Sequence, residues 1–200
     1  MIPLAEFGIE TLRKKCEQSK SRIYGFILYT DSDPYVKRAL RDNDFWDALD
    51  RRSGPNWPIF TARPISKGSY VSAKSQPDTL EYLTQTWREP NDNQEFLDLF
   101  GIESSRELPC FVAFIWDDND NLKHFVVKVD SGSEDEVYKS LQGIIDTITD
   151  TESHILDEYK NSENVFREVV NNLEARGFFI AKNKVLNKVH QLIGYFSCFM

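Results

Sequence analysis

Ile23-Tyr24-Gly25-Phe26-Ile27-Leu28-Tyr29-Thr30-Asp31-Ser32-Asp33-Pro34-Tyr35 holds the change of period on which the fold reading turns. Its first seven residues form an unbroken apolar run of strand length, the pattern of a central strand covered on both faces. Asp33 and Pro34 then supply an N-cap and a first-turn proline. From Tyr35 to about Arg52, Val36, Leu40, Trp46 and Leu49 recur at broadly helical spacing. The stretch therefore predicts a strand, a tight turn and a helix.

Upstream, residues 4 to 20 read as a short charged helix with Leu4, Phe7, Ile9 and Leu12 on its apolar side and Arg13-Lys14-Lys15 in its last turns, where cations suit the helix dipole. Downstream, Gly54-Pro55-Asn56 closes the first helix and Trp57 to Ala62 makes a second strand. Leu80, Tyr82, Leu83 and Trp87 suggest a short helix stopped by Pro90, and Asp92 or Asn93 caps another that ends at Gly101. Pro109 to Trp116 is the most apolar run of the chain. With Leu122 to Val129, across the polar turn Asp117-Asp118-Asn119-Asp120-Asn121, it predicts a hairpin. Ser133 and Glu136 form a capping box for a helix striped by Val137, Leu141, Ile144, Ile145 and Ile148. Two further helices are expected, one through Tyr159, Phe166, Val169 and Leu173 to Gly177, the other through Val185, Leu186, Val189, Leu192, Ile193 and Phe196.

Composition places this order of elements in an ordinary folded domain. In 200 residues, 40% hydrophobic and 13% aromatic side chains exclude a disordered chain, and three cysteines without zinc-type spacing exclude a disulfide framework. No window reaches the ~18 apolar residues of a membrane span, the first residues lack a signal-peptide core, and Ser197 stands where a prenylation box needs cysteine. A reduced, cytoplasmic protein is expected, with membrane binding disfavoured. The net charge of −8 is uneven: +4 over residues 1 to 76, −16 over 77 to 175 and +4 over 176 to 200. The acidic middle repels nucleic acid and favours a basic protein partner. The basic tail is expected to dock as a helix on that middle, within one chain or across a homodimer formed by the C-terminal helices.

The order β-α-β-α-β-β-α over residues 22 to 150, with two local features, resembles the thioredoxin superfamily. One feature is the strand-turn-helix junction. Thioredoxins carry Cys-x-Pro-Cys there and glutaredoxins Cys-Pro-Tyr-Cys; here Pro34 is kept and both thiols are gone. Ser32 and Tyr35 stand at the cysteine positions on the first pattern, Asp33 and Val36 on the second. The other feature is Phe100-Gly101-Ile102 followed by Leu108-Pro109-Cys110, which looks like the family's helix end, loop and cis-proline. The resemblance implies an α/β, thioredoxin-like mixed four-stranded sheet flanked by helices over 22–150, preceded by an N-terminal helix over 1–21 and followed by a C-terminal helical extension over 151–200. It also implies a cis peptide between Leu108 and Pro109 close to the Asp31 to Pro34 turn.

Family redox chemistry needs a thiolate at the helix N-terminus and usually a second thiol to resolve the mixed disulfide. Asp31, Ser32 and Asp33 supply neither. The reading is therefore a non-catalytic module that binds a protein partner through Asp31, Ser32, Asp33, Pro34, Tyr35, Leu108, Pro109 and Cys110, with no cofactor and no metal. One alternative is a single-thiol enzyme or redox sensor built on Cys110, against which stands the ordinary role of a buried cysteine as a small apolar residue. Another is a flavodoxin-like or TIR-like nucleotide-processing domain, since an acidic turn follows the first strand. Asp117, Asn119 and Asn121 have the first spacings of a calcium loop, but Leu122 and Lys128 stand where it needs glycine and the bidentate acid. His124, His154 and His190 show no metal-ligand spacing.

Overall fold

The computed structural model describes residues 2–3, 9–19, 21–30, 32–53, 57–61, 94–102, 107–117, 121–155, 161–178 and 180–186. In chain order these form β1 (Ile2–Pro3), α1 (Ile9–Ser19), β2 (Tyr24–Leu28), α2 (Pro34–Arg41), α3 (Asn43–Ser53), β3 (Ile59–Thr61), α4 (Gln94–Phe100), β4 (Cys110–Trp116), β5 (Leu122–Lys128), α5 (Glu134–His154), α6 (Ser162–Ala175) and β6 (Ile180–Leu186). The helix expected around Leu80 to Trp87 and its neighbour's cap at Asp92 or Asn93 lie outside the described residues.

One mixed sheet runs β1-β3-β2-β4-β5-β6. The β1–β3 and β3–β2 pairs are parallel; β2–β4, β4–β5 and β5–β6 are antiparallel. The sheet thus has six strands where four were expected. Both additions are edge strands. β1 is only two residues long, too short for a period to register. β6 takes the place of the start of the expected last helix: Ile180–Leu186 lies antiparallel along β5, so the C-terminal extension is not wholly helical, and the rest of that helix, 187–200, lies outside the described residues. Pairing with an open sheet edge outweighs the helical spacing of Val185 and Leu186.

Side chains alternate between two cores. On one face Ile27, Phe111, Ala113, Ile115, Phe125 and Val127 pack with Val36 and Leu40 of α2, Trp46 and Leu49 of α3, the stripe of α5 and Val165, Phe166 and Val169 of α6. On the other, Phe26, Leu28, Val112, Phe114 and Val126 pack with Ile9, Leu12 and Cys16 of α1 and Phe96, Leu99 and Phe100 of α4. α1, before residue 22, and α6, after residue 150, thus share their cores with the helices between them. Gly25 permits the first packing. A Cβ there would stand 2.6 Å from Phe111 Cζ and 2.9 Å from Trp57 Cζ3.

Local signals explain several helix ends. Ser133 Oγ accepts from the Glu136 N–H at 3.2 Å, as its capping position requires. Gly101 and Gly177 close α4 and α6 at φ 59° and 85°, with Ile102 N–H on Leu97 O at 2.8 Å and Phe178 N–H on Leu173 O at 3.0 Å. Two expectations fail. The single helix from Tyr35 to Arg52 is broken at Asp42, whose Oδ1 accepts from the N–H groups of Asp44 and Phe45 at 2.8 and 3.2 Å and so starts α3. The Arg13-Lys14-Lys15 run lies before the last turn of α1, which holds no basic residue; Arg13 pairs with Glu17 one turn on, at 3.1 Å.

Candidate functional site

β2 leaves the sheet at Leu28, and the chain reverses through Thr30 to Asp33, whose N–H donates to the Thr30 carbonyl at 3.0 Å. Asp33 holds the N-cap position of α2, with φ −104° and ψ 70°, and Pro34 is the first helical residue. The Asp33 carbonyl accepts the first helical bond, from Lys37 N–H at 3.0 Å. Its carboxylate, expected to cap the helix, does not. Oδ2 accepts from the Thr30 N–H at 2.8 Å and the Thr30 hydroxyl at 3.0 Å, and Ser32 N–H in turn donates to Thr30 Oγ1 at 3.2 Å. The acid therefore locks the turn and makes no side-chain cap on α2. Asp31 lies outside the described residues.

The second wall comes from the start of β4. Leu28 pairs with Cys110 in antiparallel register, which brings the Thr30–Pro34 turn and the residues just before β4 to one end of the sheet. The Leu108–Pro109 peptide there is cis, as expected. Its carbonyl and the next are held by the following strand and its exit: Lys128 Nζ donates to Leu108 O at 3.1 Å, and Val129 N–H to Pro109 O at 3.0 Å. Leu108 and Pro109 are buried; Ser32 and Pro34 are exposed and Tyr35 is half-buried. The Arg38 guanidinium stacks 4.8 Å from the Tyr35 ring centroid while its Nε meets Glu134 Oε1 at 3.0 Å.

Cys110 does not share that surface. Its side chain is fully buried and belongs to the core beneath α1 and α4, whereas α2 packs on the opposite face. Period-two alternation along β4 decides this, since Phe111 and not Cys110 faces α2. Cys16 lies in the same core, and burial pushes its thiol up to about 12 from 9.0. A thiol kept neutral in this way is a poor nucleophile.

The remaining chemical candidates hold structural positions. Asp117 closes the hairpin turn: its Oδ1 accepts from Asn121 N–H at 2.8 Å and its Oδ2 from Asn121 Nδ2 at 3.1 Å. His124 is buried on β5 with Nε2 3.0 Å from the Phe100 carbonyl, so that nitrogen carries the proton and satisfies the end of α4. His154 closes α5, with Nδ1 2.6 Å from the Asp150 carbonyl. His190 and Asn119 lie outside the described residues. Among the described residues there is no cluster of three or more His, Cys, Asp or Glu able to hold a metal ion, and no helix long and apolar enough to cross a membrane.

Two residues of the site were not expected, Thr30 and Lys128. Thr30 had a signal in the Thr-x-x-Asp spacing of a side-chain-locked turn. Lys128 had none, because the sheet alone brings it to a carbonyl twenty residues away. Together the elements bring the side-chain-locked turn and the buried cis Leu108–Pro109 peptide to one end of the sheet. Comparison with family models, curated proteins and solved structures gives no match.

Proposed function

We propose that the chain is a thioredoxin-like domain without a redox pair, and that it binds an extended segment of another protein between the Thr30–Tyr35 junction and Leu108–Pro109. The cis peptide at Leu108–Pro109, at the same sheet end as a Pro34-initiated helix, carries this reading. The central strands β3-β2-β4-β5 support it, with one parallel and two antiparallel neighbours, as does the division of helices between the two faces. No thiol stands at either junction position, so binding replaces dithiol exchange. The excess of acid over residues 77 to 175 favours a basic segment.

Neither other reading gains a comparable observation. Cys110 is buried away from α2, against a nucleophile that must meet substrate. Three antiparallel pairings argue against the doubly wound parallel sheet of a nucleotide-processing fold. The test is a titration of the isotope-labelled chain with short extended peptides, basic, neutral and acidic, followed by amide shifts. Basic peptides are expected to shift Ser32, Tyr35, Leu108 and Val129 together. Shifts scattered over the surface, or none at these four residues with any peptide, would refute the assignment.

A further inference from the structure

Among the described residues no strand lies beyond β6, and the direction of its backbone groups follows from parity. Val129 N–H donates to Pro109 O at 3.0 Å and Asp117 N–H to Asn121 O at 2.9 Å, so the odd-numbered residues of β5 turn their N–H and C=O groups toward β4. The even-numbered ones turn toward β6, where Leu122, His124 and Val126 stand opposite Leu186, Lys184 and Lys182. Those three residues of β6 direct their backbone groups to β5. Asn183 and Val185 direct theirs away from the sheet. Ala181 is the extra residue of a bulge, between the Val126–Lys182 and Val127–Ile180 pairs, and it ends the regular edge.

Outward N–H and C=O groups are a template for one more strand, and charge decides which strand they accept. Lys182 and Lys184 stand two residues apart and so on one face of β6, in a segment, 176 to 200, with four basic and no acidic residues. Pairing with a second copy is disfavoured. Each antiparallel register that sets Asn183 against Ala181, Asn183 or Val185 of another copy also sets lysine opposite lysine, and like charges directly across a pair are destabilising. A strand with acids at alternate positions meets the same lysines favourably.

We propose that the outer edge of β6, at Asn183 and Val185, takes up an extended acidic segment of a partner protein as a further strand, with Asp or Glu opposite Lys182 and Lys184. This edge is distinct from the cis-proline surface and selects the opposite charge.

The experiment uses the full chain and three capped eight-residue peptides: alternating Glu and Val, the same with Lys for Glu, and the Glu peptide with alternate amides N-methylated. Amide hydrogen exchange is expected to be fast at Asn183 and Val185 and slow at Lys184 in the free monomer. The Glu peptide should slow the first two, less so as salt is raised, while the Lys and N-methylated peptides leave them fast. Lys182→Glu with Lys184→Glu should weaken Glu-peptide binding roughly tenfold, the scale of two reversed cross-strand pairs. Slow exchange of Asn183 and Val185 in the free monomer would mean that the chain covers its own edge and would overturn the proposal. Protection that appears only on dimerisation, or equal binding of the Glu and Lys peptides, would overturn it as well.

Discussion

Asp33 accepts twice from Thr30, at 2.8 Å from its N–H and at 3.0 Å from its hydroxyl, although it stands at the N-cap of α2. The carboxylate thus stabilises the loop that forms one wall of the site. Asp33→Ala should lower stability by about 1.5–3 kcal/mol, the range for hydrogen bonds to a charged group. Exposed Ser32, truncated to alanine, should cost no more than about 0.5 kcal/mol. Urea denaturation of the two variants separates these outcomes, and equal losses would deny the Thr30–Asp33 lock.

Gly25→Ala tests the packing beneath the site. The added methyl would lie 2.6 Å from Phe111 Cζ, 2.9 Å from Trp57 Cζ3 and 3.3 Å from Ile59 Cγ1, against buried rings and not flexible chain ends. A loss of about 1–3 kcal/mol is expected, as for other overpacked cores. Chemical denaturation followed by tryptophan fluorescence reads both the loss and the displacement of Trp57.

Cys16 makes stability depend on alkaline pH. Burial pushes its thiol from 9.0 to about 12, and the Tyr24 hydroxyl, which donates to the Cys16 carbonyl at 2.8 Å, is also shifted upward, chiefly by burial. A folded-state value above the unfolded one means that the folded chain keeps a proton the unfolded chain loses. The stabilisation is therefore whole below about pH 9 and falls as pH rises toward 12, by about 1.4 kcal/mol per pH unit for each group concerned. Cys16→Ala should flatten this slope between pH 9 and 10, measured by urea denaturation. An unchanged slope would contradict the assignment to Cys16.

Removal of residues 178–200 strips β5 of one of its two antiparallel partners, β6, and uncovers the backbone edge of Leu122, His124 and Val126. Lower thermal stability and concentration-dependent association are expected, because an unpaired strand edge invites pairing with other chains. Light scattering and thermal melts of the truncated chain check this. A truncated protein as stable and monodisperse as the full chain would show that β6 contributes nothing.

What could be read from the chain divides by the range of the interactions concerned. The Leu108–Pro109 junction, the Ser133 cap, the Gly101 and Gly177 ends and the β4–β5 hairpin each follow from residues a few positions apart. Asp42 escaped because Leu40, Trp46 and Leu49 continue a helical spacing across it, while the carboxylate that restarts the helix is a single-residue signal. β6 escaped for a different reason. Val185 and Leu186 fit a helix by local pattern, and only the edge of β5, some sixty residues earlier, selects a strand for them. Cys110 follows the cis-proline in sequence, but its orientation depends on strand parity. One residue's difference sends its side chain to the core beneath α1 and α4.

Recognition between the Thr30–Tyr35 turn and the cis-proline is tested most directly by a photo-crosslinking amino acid placed at Ser32 in the full chain, with the same probe at exposed Lys139 on α5 as control. In extract from the native host, the Ser32 probe should give a discrete, saturable protein adduct. Excess unlabelled chain should compete it away, Cys110→Ser should compete equally well, and Pro109→Ala should not. Identical adducts from both positions, or an adduct that Pro109→Ala competes as well as the native chain, would contradict the assignment of this surface as the binding site.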